Sequence, residues 1–108
     1  MAVDLVIVSI ACGSDTEAQI IAQALVEDKL AACVQSHAIT STYRWQGAIE
    51  TAPEVMLTAK TRLDKLRALE ARIRDLHSYD VPEIVAMPVV WASPAYAQWL
   101  NDALTPDE

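Results

Sequence analysis

Tyr43-Arg44-Trp45-Gln46-Gly47-Ala48-Ile49-Glu50 is the stretch on which the fold turns. Gln46-Gly47, which holds one of only two glycines in the chain, separates two long segments that read as extended, Ala32 to Trp45 and Ala48 to Lys60. Two extended runs joined by so short a break predict a long β-hairpin. Along its second arm Val55, Leu57 and Ala59 share one face and Met56, Thr58 and Lys60 the other, because strand side chains alternate. Pro53 removes a ladder donor, so a bulge or interruption is expected there. Tyr43 and Trp45 fall on one face of the first arm, a large amphipathic surface of the kind used between subunits.

Upstream, Leu5-Val6-Ile7-Val8-Ser9-Ile10 is β-branched and continuous, as a central strand should be. Gly13 ends it, and Ser14 with Glu17 three residues later makes a capping-box pattern for a helix carrying Ala18, Ile21, Ala22 and Leu25. Downstream, a second helix is expected to open at Thr61, with Leu63, Leu66, Leu69, Ile73 and Leu76 as its apolar stripe. Glu83 to Val90 forms a third apolar run, and Ser93-Pro94 supplies a cap and first-turn proline for a final helix through Leu104. The order is βαββαβ plus a C-terminal helix: an α+β, ferredoxin-like arrangement with an antiparallel sheet. Two helices then cover one sheet face and leave the far face bare, a surface normally covered by a partner.

At 108 residues the chain reads as one domain, 1–108. Its 53% hydrophobic content is high for so short a soluble chain and points to burial between subunits. A net charge of −7 argues against nucleic acid. Six of the eight basic residues lie between positions 60 and 74, which reads as a solvated helix face. Val3 to Ala11 is apolar but interrupted by Asp4, follows no basic segment and is too short to span a bilayer, so no membrane association is expected. Cys12 and Cys33 lack disulfide or zinc spacing and read as reduced core residues, which makes a cytoplasmic protein the expectation. Gly13 and Gly47 stand alone, so no phosphate-cradling loop and no organic cofactor is expected. No nucleophile–base pair has recognisable local spacing, and an enzyme is not expected.

The run Leu76-His77-Ser78-Tyr79-Asp80-Val81-Pro82-Glu83-Ile84 sets an imidazole, a phenol and two carboxylates where the chain must leave a helix and enter a strand. His77 there is either a site residue or a helix-end group satisfied by the dipole and hydrogen bonds. His37, among polar residues of the hairpin, reads as a surface residue.

Together with Glu27-Asp28-Lys29-Leu30-Ala31-Ala32-Cys33-Val34, Leu57-Thr58-Ala59-Lys60-Thr61 and Trp99-Leu100, these runs resemble the CutA family, the divalent-cation tolerance proteins, from Leu5 to Leu104. The resemblance implies a homotrimer of ferredoxin-like protomers, similar in build to the PII signalling proteins, with sheets inward and hairpins paired between subunits. It implies copper or another divalent cation as the ligand, held by a cysteine at the end of the first strand and a histidine pair at the end of the second helix. Here Ile10 stands at the cysteine position, with Cys12 two residues on and pointing the same way, and the pair is reduced to His77 beside Leu76. A thiolate and an imidazole suit copper, but leave most of the coordination sphere to water or neighbouring subunits. Lys60, Tyr79 and Glu83 could line an intersubunit cleft for a small anion or metal, or Lys60 and Glu83 could form a salt bridge closing the trimer. Tyr43 and Trp45 take the trimer interface, and a further protein partner stays open.

Overall fold

The computed structural model describes residues 4–106. Val3, the first residue of the apolar N-terminal run, lies outside them. The hairpin forms as expected: strand β2, Cys33–Trp45, pairs antiparallel with β3, Ala48–Arg62. Gln46 and Gly47 both take positive φ, 48° and 82°, the left-handed pair that matches a two-residue turn to the twist of its arms. The register runs without slip from Trp45↔Ala48 to Cys33↔Lys60, so the bulge expected at Pro53 is absent. Strand β1, Leu5–Cys12, pairs with β3 only as far as Val55, so Pro53 lies where that edge is open and its missing N–H breaks no ladder bond.

Strand β4, Ile84–Pro88, pairs antiparallel with β1, giving the sheet order β2-β3-β1-β4. This is the ferredoxin-like fold. Helices α1, Asp15–Glu27, and α2, Leu66–Leu76, cover one face. The core lies between: Val6, Val8, Ile10 and Cys12 from β1, Val55, Leu57 and Ala59 from β3, and Ile21, Leu25, Leu69 and Ile73 from the helices. Ser14 caps α1 by accepting from the Glu17 amide at 3.2 Å. The helix ends in a Schellman motif, Leu30 N–H to Leu25 O at 2.9 Å and Lys29 N–H to Val26 O at 3.1 Å, with Lys29 in the left-handed position.

Three expectations are corrected here. Strand β3 runs through Thr61 to Arg62, because β1 pairs with it that far, and a 3₁₀ turn, Leu63–Lys65, precedes α2. Thr61 is therefore not a helix cap: it is buried, and its hydroxyl donates to the Leu30 carbonyl at 2.7 Å, while Leu63 is exposed. Cys33, expected in the core, is half-buried on the far face, opposite the side that Val34 presents to the core. That far face is not bare. Lys60 alternates with the core-facing Ala59 and Thr61, and its ammonium lies 5.6 Å from the Tyr96 ring centroid, which places helix α3, Pro94–Leu104, on the far side. Leu100 and Leu104 are buried beneath it.

What α3 leaves uncovered is apolar. Val85 and Met87 of β4 are 51% and 48% exposed, and Val90 and Trp91 beyond them are 97% and 75% exposed. Past Cys12↔Val55 the hairpin projects alone for about 23 Å. The long dimension of the molecule, 48 Å against 28 and 21 Å, reflects that arm. Among the described residues no helix is long and apolar enough to cross a membrane. The basic segment is locally paired, Arg72 with Asp28 at 2.9 Å, Arg62 with Asp64 at 3.0 Å and Arg74 with Glu70 at 3.9 Å.

Candidate functional site

Helix α2 stops at His77, whose extended backbone (ψ 138°) turns the chain toward the end of β1. Its Nε2 lies 2.7 Å from the Ala11 carbonyl, and the Tyr79 amide lies 3.1 Å from Nδ1. A carbonyl only accepts and an amide only donates, so Nε2 carries the proton and Nδ1 supplies a lone pair to Tyr79. The imidazole is 9% exposed and packed against the Tyr79 ring at 4.8 Å. Both nitrogens are thus engaged within the chain, and a metal ion at His77 must displace one of these bonds.

Glu17 closes the same turn from α1. Its Oε1 accepts from the Ser78 amide at 2.6 Å, rather than completing the capping box expected of it. Partial burial works to raise this carboxyl. Hydrogen bonds from the Ser78 amide and hydroxyl and the Gly13 amide outweigh that and hold it below the usual carboxylate range.

Cys12 sits on the core face at the end of β1, next in the chain to the carbonyl that His77 holds. Burial pushes its thiol up to about 11, with the Glu17 and Glu54 carboxylates adding to the effect. At neutral pH about one molecule in ten thousand carries the thiolate that a soft metal requires. Among the described residues no three histidine, cysteine, aspartate or glutamate side chains converge as a metal site.

On the far face, between the projecting hairpin and the loop after His77, lies a cavity of about 470 Å³. Tyr43 and Trp45 from β2 and Tyr79, Val81 and Glu83 from the loop line it, so the structure unites the expected cleft and interface residues. Glu54 of β3 joins them, accepting a hydrogen bond from the Tyr79 hydroxyl at 2.8 Å. Burial first, then this bond and the charge of Glu54, hold the Tyr79 phenol up at about 12. Gly13 makes room for that ring: a Cβ there would sit 2.9 Å from the Tyr79 hydroxyl.

Lys60 does not belong to this cavity. It pairs with Ile7, whereas the row at the start of β4 joins Leu57, Ile10 and Ile84, about 10 Å away by strand rise. Within one protomer the expected Lys60–Glu83 pair is therefore separated. Lys60 instead sits under Tyr96 beside a second, largely apolar cavity lined by Ile7, Trp91 and Leu100. Glu54 went unread in the sequence, and Glu17 was read only as part of a helix cap. Each is one acidic residue on an ordinary strand or helix, and nothing local marks its partner.

Fold and site together define a class: a ferredoxin-like, PII-like protomer with a lengthened hairpin, an apolar face left open and a buried histidine at the exit of its second helix. The chain belongs to the CutA family. Residues 6–103 match the family model described as CutA1 divalent ion tolerance protein. The divalent-cation tolerance protein CutA of Thermus thermophilus is 42% identical over 97 residues, 89% of this chain and 94% of that protein. A CutA homologue of Xenopus laevis is 44% identical over 94 residues, 86% of this chain, which spans only 62% of the frog protein. The solved structure of a periplasmic divalent cation tolerance protein CutA from Archaeoglobus fulgidus superposes with a TM-score of 0.92 at 34% identity, covering 94% of this chain and 99% of that one. CutA from Synechococcus elongatus gives 0.92 at 38% identity, covering 96% and 93%.

Proposed function

We propose that this chain works as a non-enzymatic homotrimer in divalent-ion tolerance, and that its direct contact with the ion is weak. The observation that carries this reading is the open apolar surface of the protomer, on β4 and along the projecting hairpin. Tyr43 and Trp45 lie on that hairpin and are assigned to the trimer interface. Copper is the divalent ion that a thiol and an imidazole would select, and Cys12 and His77 are the residues through which it would act. Deprotonating a thiol held at about 11 consumes about 5 kcal/mol of binding energy at neutral pH. Freeing an imidazole nitrogen costs a hydrogen bond in addition. The same protonated thiol and committed imidazole make a poor nucleophile–base pair, which supports a non-catalytic role. Two unpaired cysteines on opposite faces of the sheet fit a reducing cytoplasm.

Calorimetric titration of metal-free protein with copper, beside Cys12→Ser and His77→Gln, tests this. Weak, saturable uptake lost in either variant is expected. It should strengthen as pH rises from 7 toward 9, because each step up increases the thiolate fraction of a group whose own midpoint lies near 11. Uptake unchanged by both substitutions, in variants whose circular dichroism matches the parent, removes these residues from the ion's path.

A second reading, a ligand-binding sensor, is favoured by the cavity beside the hairpin. Its lining holds Glu54 and Glu83 and neither lysine nor arginine, so the small anion expected from the sequence does not fit it within one protomer.

A further inference from the structure

We propose that the seated loop after α2 is an autoinhibitory contact on His77, and that an ion reaches the imidazole only in the state where the Tyr79 amide has let go. The inference rests on the ion reading above and names how access to that site is regulated. In the seated state Nε2 donates to the Ala11 carbonyl at 2.7 Å, and Nδ1 gives its lone pair to the Tyr79 amide at 3.1 Å. An ion on Nδ1 takes that lone pair directly. An ion on Nε2 leaves the ring proton on Nδ1, where an N–H then faces the Tyr79 N–H and neither can accept. Either route breaks the same bond. The Tyr79 amide is therefore the gate, whichever nitrogen serves as ligand.

Two further elements hold the loop in its seat. Glu17 of α1 accepts from the Ser78 amide at 2.6 Å, and Glu54 of β3 accepts from the Tyr79 hydroxyl at 2.8 Å. The Tyr79 ring also packs on the imidazole at 4.8 Å. These contacts fall on two consecutive residues, so all of them favour the state that closes Nδ1. An ion that binds only the unseated state has its apparent affinity reduced by the fraction of molecules in that state. Any change that loosens the seat raises that affinity, and by linkage the ion in turn loosens the loop. The gate needs no open face of the protomer: His77 is buried, and both partners of its ring lie in the same chain.

Hydrogen exchange of the full chain, read by mass spectrometry with copper chloride and with magnesium chloride as control, tests the proposal. Copper is expected to speed exchange in the segment that holds Ser78 and Tyr79, in step with uptake measured by calorimetry, while β1 and β3 keep their protection. Tyr79→Phe removes the hydroxyl bond to Glu54 and keeps the ring, so it should take up copper about threefold more tightly. Metal-free His77→Ala, which leaves the Tyr79 amide without its acceptor, should show the faster exchange with no ion present. The first two measurements decide the matter whether or not that variant folds. Uptake that is lost in His77→Gln yet leaves the segment protected overturns the gate alone, and the ion reading stands. An affinity in Tyr79→Phe no higher than the parent's, or a His77→Ala segment as protected as the parent's, does the same. Uptake unchanged in His77→Gln, or absent from both the parent and Tyr79→Phe, overturns the gate and the ion reading together.

Discussion

At the scale of single residues, the exit of α2 is held by a closed set of hydrogen bonds. His77 ties it to Ala11, Glu17 ties Ser78 to α1, and Tyr79 reaches Glu54 across the end of the sheet. Gly13 is the permissive element of that set, through space rather than backbone angle. Gly13→Ala places a methyl 2.9 Å from the Tyr79 hydroxyl and should cost about 1 kcal/mol in chemical denaturation, against the small gain a glycine-to-alanine change otherwise brings. In a Tyr79→Phe background the offending oxygen is gone, and the same substitution should be close to neutral. Equal penalties in the two backgrounds would show that Tyr79 is not what Gly13 accommodates.

Among the elements, the hairpin is the one whose turn is imperfectly matched to its sequence. Gln46 holds φ 48° where asparagine is the favoured residue, and Gly47 at 82° satisfies the other half of the turn. Gln46 is exposed, so Gln46→Asn alters backbone preference with little change in packing. It should raise stability by about 0.5 kcal/mol, read as a higher denaturant midpoint at unchanged slope. A lower midpoint would mean that the Gln46 side chain holds the tip by contacts of its own.

For the whole molecule, the decisive quantity is apolar surface that one protomer cannot bury. Val85 and Met87 stay about half exposed although they flank the central strand, because α3 covers only part of the far face. Lysines at both positions can be solvated in an isolated protomer. In an assembly whose sheets face one another they bring buried like charges. Val85→Lys with Met87→Lys is therefore expected to lower the mass in light scattering from three chains to one while the circular dichroism spectrum persists. A trimer that survives both changes would place the interface elsewhere.

The element order, the hairpin and its turn, the Ser14 and Ser93 caps and the core stripes, Leu63 apart, were legible in the chain, because each depends on local periodicity or on a residue's own backbone preference. So was the final helix, Pro94–Leu104, to the residue. The run from His77 to Glu83 could be singled out for its chemistry, but not its partners: Ala11 lies 66 residues from His77, and Glu54 lies 25 from Tyr79. The limits of β3 depended on pairing with β1, which carried the strand past Thr61, while its absence beyond Val55 let Pro53 stay in register with β2. Sheet order also separated Lys60 from Glu83 and left, within one protomer, an acidic, aromatic cavity without the lysine expected beside Tyr79 and Glu83. Local structure follows from neighbours in the chain. Which charges meet, and which ring nitrogens remain for a ligand, follows from neighbours in space.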